Sequence, residues 1–330
     1  MAMASSPPTP APPRSKPVAR RPAARSRSVN ARALQEPALQ HFLEVANTGS
    51  ITQAAARLNL APSAVSRQIA RLEREMDTLL FERRARGVVL NSAGELLAAH
   101  ARRAWLDMER VAEEIQALRG QRKDKVKLVA TEGFAYDFLP ALVAQFQARQ
   151  PHVSFSLDMA VQAEVVRRVR EGAADVGVTV NLTSERDLTV ELRHPAPVLA
   201  VLAAGHPLAG KRHLTLAQVV AWPLALPSTA STLRRLLDVC FSRQGLAYQS
   251  RFTSDHLFPL VAYAAETQAI TFCGELALRQ HLQQGAVVAV PLRDREMTER
   301  HFEVQTLAGR QLPEAARAFI DFLRQRLEGG

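Results

Sequence analysis

Ser50-Ile51-Thr52-Gln53-Ala54-Ala55-Ala56-Arg57-Leu58-Asn59-Leu60-Ala61-Pro62-Ser63-Ala64-Val65-Ser66-Arg67-Gln68-Ile69-Ala70-Arg71-Leu72-Glu73-Arg74-Glu75 is the stretch whose reading decides the fold. Ser50 and Gln53 have capping-box spacing, in which the hydroxyl accepts from the Gln53 amide and the Gln side chain reaches back. One helix starts there, with Ala54, Ala55 and Leu58 inward; small alanines admit a close neighbour. Asn59-Leu60-Ala61 is a break. Pro62 suits the first position of a second helix, where no amide hydrogen is needed. Val65, Ile69, Leu72 and Met76 then share one face. The opposite face holds Ser63, Ser66, Arg67, Ala70, Arg71 and Arg74 and no carboxylate. Two short helices joined by a tight turn, the second slim and basic outside, make a helix-turn-helix. Its second helix is shaped to enter a major groove N-terminus first.

Working outward, Leu39, Phe42, Leu43 and Ala46 mark a preceding helix that ends at Gly49. After the motif, apolar runs flank Arg86-Gly87 between Leu80 and Leu90 and predict a hairpin. Its tip carries Arg83, Arg84 and Arg86, so it reads as a wing lying on phosphates or dipping into the minor groove. Ser50, Thr52, Pro62, Ser63, Ser66, Arg67, Arg71, Arg74, Arg83, Arg84 and Arg86 are the expected DNA-facing residues. Asn91 can cap a helix from about Ser92 to Leu118. Along it Leu97, Ala101, Ala104, Met108, Val111, Ile115 and Leu118 alternate spacings of four and three. That is a heptad seam suited to a second copy.

The motifs carry a resemblance. Gly49 to Leu58, Ala61 to Glu73, Leu80-Phe81-Glu82-Arg83 and Leu90 to Gly94 follow, in order and spacing, the signature of the LysR-type transcriptional regulators. The resemblance implies a winged helix-turn-helix, a linker helix that dimerises, and a C-terminal periplasmic-binding-protein-like α/β effector domain of two lobes. It further implies homodimers or homotetramers on double-stranded DNA, an unidentified small-molecule effector, no cofactor, RNA polymerase as a further partner, and a bacterial cytoplasmic setting. Ala61-Pro62 departs from the family's usual Ser-Gln and loses an N-cap oxygen, a change worth about 1 kcal/mol in typical hosts. Asp77 stands where the family has Gly, and Asn91 where it has Thr; both residues tolerate those turn and cap roles.

The length of 330 residues suits two or more domains. The net charge of +10 is uneven, with +6 in residues 1–30 and +3 in residues 38–103, which leaves the rest near neutral. A nucleic-acid module joined to a module with another task fits that split. Residues 1–35, rich in Pro, Ala, Ser and Arg, read as a disordered basic tail able to add salt-sensitive DNA contact. Their acid-poor, Arg- and Ser-rich composition also resembles a transit peptide, although seven prolines in residues 1–30 oppose the amphipathic helix it needs. No apolar run is long enough to span a membrane. The two cysteines, Cys240 and Cys273, lie in apolar surroundings and read as core.

The expected boundaries are 36–93 for the DNA-binding domain, 94–120 for the linker helix and 125–327 for the effector domain. Within the last, lobe I spans about 125–192 and 297–327, and lobe II about 193–296. Strands at Val126–Ala130, Val153–Leu157 and Asp175–Val180 alternate with helices and predict a mostly parallel sheet. A second set includes Val198–Leu202, Pro223–Leu226, Ala269–Phe272 and Val287–Val290. Leu139-Pro140, Pro151-His152-Val153, Gly172 with Asp175, and His206-Pro207-Leu208 extend the resemblance, while Glu266-Thr267-Gln268 replaces the family's Gly-rich turn. Ligands of open α/β sheets bind beyond strand carboxyl ends, near helix N-termini. The polar residues so placed are Thr131, Glu132, Gln162, Asn181, Ser228, Thr229, Ser231 and Thr232. Arg234 could pair with a ligand carboxylate or lie on a solvated helix face. No G-x-S-x-G elbow, P-loop, dinucleotide glycine fingerprint or metal triad is present. The alternatives are an α/β enzyme tethered to DNA and a nonspecific architectural binder.

Overall fold

The computed structural model describes residues 37–85, 87–118, 124–180, 187–277, 282 and 285–328, and divides into two compact units, 1–94 and 95–330. The basic tail, Arg86 and Asn181 lie outside the described residues, as do the side chains of Glu113, Glu114, Gln116, Ala117 and Leu118.

The first unit holds α1 (Pro37–Thr48), α2 (Ile51–Leu58), α3 (Pro62–Glu75) and the antiparallel hairpin β1 (Phe81–Arg84) and β2 (Gly87–Leu90). Its core is Leu39, Phe42, Val45, Ala54, Ala55, Val65, Ile69, Leu72 and Leu80. In α1 the inward stripe runs through Phe42 and Val45, while Leu43 and Ala46 are only half-buried. Periodicity alone places that stripe one residue round the helix. The capping box is half formed. Ser50 Oγ accepts from the Gln53 amide at 3.4 Å, but the Ser50 amide donates to Thr48 Oγ1. Asn59 (φ 55°) and Asp77 (φ 50°) take left-handed turns, a role Asn and Asp fill better than most side chains. Two glycines answer to close approach. A Cβ on Gly87 would meet the Gly49 carbonyl at 2.3 Å, and one on Gly94 would meet the Leu80 carbonyl at 2.1 Å.

Helix α4 (Ser92–Leu118) begins at Asn91, whose Oδ1 accepts from the Gly94 amide at 2.9 Å. Within the second unit it lays Leu106 on Gly172.

Lobe I is a five-stranded sheet in the order β4-β3-β5-β12-β6, formed by β3 (Lys125–Ala130), β4 (Ser154–Met159), β5 (Val176–Thr179), β6 (Leu188–Pro195) and β12 (His301–Leu307). Strands β3, β4 and β5 are parallel; β12 runs antiparallel to β5 and β6. Helices α5 (Glu132–Ala135), α6 (Phe138–Gln147), α7 (Gln162–Arg170) and the C-terminal α12 (Glu314–Glu328) cover it. Phe138, Leu139, Phe146, Phe302 and Phe319 make the main core.

Lobe II repeats this plan. Its strands are β7 (Val198–Ala203), β8 (Leu224–Pro227), β9 (Ser250–Ser254), β10 (Thr271–Gly274) and β11 (Val287–Pro291). Strand β8 runs parallel to β9 and bridges to Ile270 just before β10, and β7 lies antiparallel between β10 and β11. Helices α8 (Leu216–Val219), α9 (Thr232–Arg243), α10 (Leu257–Glu266) and α11 (Arg295–Thr298) complete the lobe. Each lobe is therefore mostly parallel, as alternation predicts, with a single strand, β12 or β7, running against its neighbours. That strand is the one each crossover delivers: β7 follows the first passage between lobes and β12 follows the second. Strand β6 runs to Pro195 and β12 starts at His301, so the crossovers lie a few residues beyond the boundaries expected from sequence.

Candidate nucleic-acid interface and effector cleft

In the first unit, burial of Val65, Ile69 and Leu72 turns the other side of α3 to solvent, so that Pro62, Ser63, Ser66, Arg67, Ala70, Arg71 and Arg74 are all exposed. Thr52 is also exposed, and Ser50 is half-buried at its cap. The arginines are not equivalent. Arg71 pairs with Glu75 at 2.8 Å, and Arg74 donates to the Ala70 carbonyl. Arg84 pairs with Glu82 at 2.6 Å on the wing. Among the described residues Arg67 and Arg83 make no ion pair, which leaves both free for an outside acceptor. Glu73 faces the other way. Its Oε1 accepts from the Leu80 amide at 2.8 Å and tethers the end of α3 to the root of the wing. The Ala61 cap makes no side-chain hydrogen bond, as its methyl group dictates.

The structure buries the first part of the expected seam on α4. Leu97 and Ala101 are buried within the single chain and offer a partner nothing, and Ala104 is half-buried. Met108, Val111 and Ile115 are exposed, as are two apolar side chains of α4 outside the expected seam, Trp105 and Leu96. The heptad reading missed Trp105 because it follows the seam's Ala104 by one residue, while the seam itself steps from Ala104 to Met108.

In the second unit Thr131-Glu132 follows β3 and Ser228–Thr232 follows β8. Strands β3 and β8 hold the same place in their two lobes, so the repeated topology makes the two segments equivalent. Gln162 opens α7 in the same way after β4. Glu132 spans the lobes. Its Oε1 accepts from the Leu257 amide at the start of α10 at 2.9 Å and lies 3.5 Å from His256 Nδ1. Burial raises the Glu132 carboxyl pKa, and the Leu257 amide opposes that shift. On the same flank Tyr136 and Phe258 meet edge to face at 4.5 Å.

The Pro227–Ser231 turn is fixed from behind by Arg234. That guanidinium donates to Asp238, to the Pro227 carbonyl and to the Tyr248 hydroxyl, and its side chain is only 13% exposed. Arg234 is thus a brace for the turn and not a solvated charge. The hydroxyls of Ser228, Thr229, Ser231 and Thr232 make no hydrogen bond among the described residues. The Glu266-Thr267-Gln268 turn closes without glycine because Thr267 Oγ1 donates to the Tyr263 carbonyl and accepts from the Ala269 amide.

Arg300 escaped the sequence reading. It lies on the second crossover, where its carbonyl accepts from the Ala196 amide of the first at 2.7 Å. Its guanidinium has no hydrogen bond or ion pair among the described residues, and its Nε is buried. Burial pulls its pKa down to about 10. No motif marks such a residue; only the crossover geometry does. The two thiols are sealed, with burial pushing Cys240 up to about 11 and Cys273 higher. Among the described residues no group of His, Cys, Asp and Glu could hold a metal, and no helix is long and apolar enough to cross a membrane.

A winged helix-turn-helix with a cationic reading face, followed by a two-lobed α/β module with polar strand ends, defines a DNA-binding protein that carries a small-molecule receptor. Known proteins agree. The family described as "Bacterial regulatory helix-turn-helix protein, lysR family" matches residues 37–95, and "LysR substrate binding domain" matches residues 119–328. The chain belongs to the LysR family of transcriptional regulators. It is 27% identical over 291 residues to the uncharacterized HTH-type transcriptional regulator YfeR of Shigella flexneri, covering 87% of this chain and 92% of that one. A full-length OxyR variant from Pseudomonas aeruginosa shares the fold with a TM-score of 0.61 at 20% identity, over 87% of this chain and 93% of that chain. The effector binding domain of QuiR in complex with shikimate superposes with a TM-score of 0.52 at 18% identity, over 62% and 97% of the two chains.

Proposed function

We propose that this regulator reads an interrupted palindrome as a homo-oligomer and changes its grip on DNA when a small anion enters the cleft. The observation that carries the DNA half is the exposed N-terminal part of α3, which has no carboxylate from Pro62 to Ala70, with Ser63, Ser66 and an unpaired Arg67 leading into the groove. Thr52 and Arg83 take phosphates on either side. Trp105, Met108, Val111 and Ile115 join two copies, so that two recognition helices meet two half-sites. Dimers of dimers and contact with RNA polymerase extend the same reading, in the cytoplasm of a bacterium.

The effector half rests on Arg300 and on the free hydroxyls of Ser228–Thr232. A guanidinium with a buried Nε and no acceptor calls for an anion. A domain of this fold holds shikimate in QuiR, and a small organic acid is the class we carry over. A coupling of about 1–3 kcal/mol between cleft and DNA suffices for regulation. Catalysis is no part of this reading, and no cofactor enters it.

The test is fluorescence anisotropy on the duplex upstream of the protein's own gene and on a scrambled duplex, with and without a panel of small carboxylic acids. Preference for the native duplex, altered by at least one acid and unaltered by it in Arg300→Gln, supports the reading. Equal affinity for both duplexes supports an architectural binder instead.

A further inference from the structure

We infer that lobe I carries a second small-anion site, between β6 and the exposed flank of α12. A cavity of about 470 Å³ opens there, lined by Arg310, Arg317 and Arg324, by the acids Glu191 and Asp321, and by Leu312 and Ile320. Three arginines line it, and the acids beside them are already engaged. Asp321 takes Arg324 Nη1 at 2.7 Å, and the Glu191 carbonyl takes Arg324 Nη2 at 3.1 Å. The Glu191 carboxylate accepts from the Thr306 hydroxyl at 2.7 Å. Asp175 takes Arg310 Nη2 at 2.8 Å with one oxygen and the Lys127 amide with the other.

Donors remain beyond these pairs. The Arg310 side chain is only 8% exposed, yet its Nε and Nη1 have no acceptor. Buried guanidinium N–H groups are normally satisfied, so an unfilled pair on a residue that lines a cavity points to an absent acceptor. Arg317, which also lines the cavity, makes no ion pair among the described residues. Two guanidiniums with spare N–H groups match the oxygens of a carboxylate or phosphate, since the fork geometry of arginine favours planar or tetrahedral oxyanions. Leu312 and Ile320 give an organic body something apolar to rest on.

The experiment is isothermal titration calorimetry of the full-length protein with inorganic phosphate and, separately, with malonate. Ionic strength is held constant with chloride, which also serves as the control anion. Saturable heat with either anion is expected, phosphate alone or malonate alone identifying which oxyanion the site prefers. Arg317→Gln should weaken that binding by about tenfold or more, the worth of a charge-assisted hydrogen bond. Arg300→Gln, at the crossovers, should leave it unchanged. The inference is overturned if neither anion binds beyond chloride, or if Arg317→Gln binds as the wild type does. Loss of binding in Arg300→Gln but not in Arg317→Gln overturns it as well, by moving the site to the cleft. Circular dichroism shows that each variant is folded. Should Arg317→Gln fail to fold, Arg317→Lys, which keeps the charge and loses the fork, takes its place.

Discussion

Replacing Val111 and Ile115 by lysine should turn the oligomer into monomers. Both side chains are about half exposed in the single chain, Val111 at 44% and Ile115 at 49%, flanked by Trp105 at 42% and Met108 at 60%. Fully burying an exposed Val or Ile contributes roughly 1.5–3 kcal/mol, so half-exposed residues have about half of that left to gain. Two residues on each of two protomers then contribute about 3–6 kcal/mol, or roughly 10²–10⁴ in the dimer constant. Four lysines opposed across one seam add repulsion in the same direction. Lysine is a good helix former, so α4 itself should survive. Sedimentation velocity across a concentration series reads the result directly. A double variant that sediments as the wild-type oligomer at every concentration would refute the seam and return its apolar residues to an intramolecular role.

The remaining predictions concern single residues. Arg67→Ala should lose about 1–3 kcal/mol on the cognate duplex and little on random DNA if Arg67 reads a base; equal loss on both, by anisotropy, makes it a phosphate contact. Ala61→Ser should raise the stability of the first unit by about 1 kcal/mol by restoring an oxygen at the start of α3, and an unchanged melting transition would show the cap position to be closed to a side-chain bond. Glu132 has its folded pKa raised above 4.5 by burial. The folded state therefore holds its proton more tightly, so this group's stabilising contribution is present below the unfolded pKa and is lost as pH rises through the folded one. Glu132→Gln keeps an acceptor for the Leu257 amide without that penalty, so its melting temperature relative to wild type should climb from about pH 4 toward pH 7. A difference that stays flat with pH would mean that Glu132 ionises without cost.

The first unit was legible because its signals are local. Caps, left-handed turns and close glycines act over three or four residues, and Val65, Ile69 and Leu72 announce a buried stripe by spacing alone. The second unit was legible in its buried strands and obscure at its edges. Strand β9, Ser-Arg-Phe-Thr-Ser, carries little apolar weight because its partner supplies the burial, and β6 hides Leu188, Val190 and Leu192 among charges. Helix α10 has no capping side chain of its own, since Glu132, 125 residues away in sequence, serves its first amide. Such long-range caps leave no local trace. The same holds for Arg234, whose partners include Tyr248 in a loop, and for Arg300, whose isolation exists only once two crossovers lie side by side. Leu97 and Ala101 fit a heptad as well as Met108 does. Periodicity gives the face of a helix, and it cannot say whether a neighbour in the same chain has already covered it.

DNase I footprinting of the full-length protein on the DNA upstream of its own gene, at moderate salt, bears most directly on the DNA-reading face of α3. Two protected half-sites, centred one helical turn or a whole number of turns apart and erased by Arg67→Ala, are what two paired recognition helices must produce. Featureless protection along the whole fragment, or none at all, would contradict it.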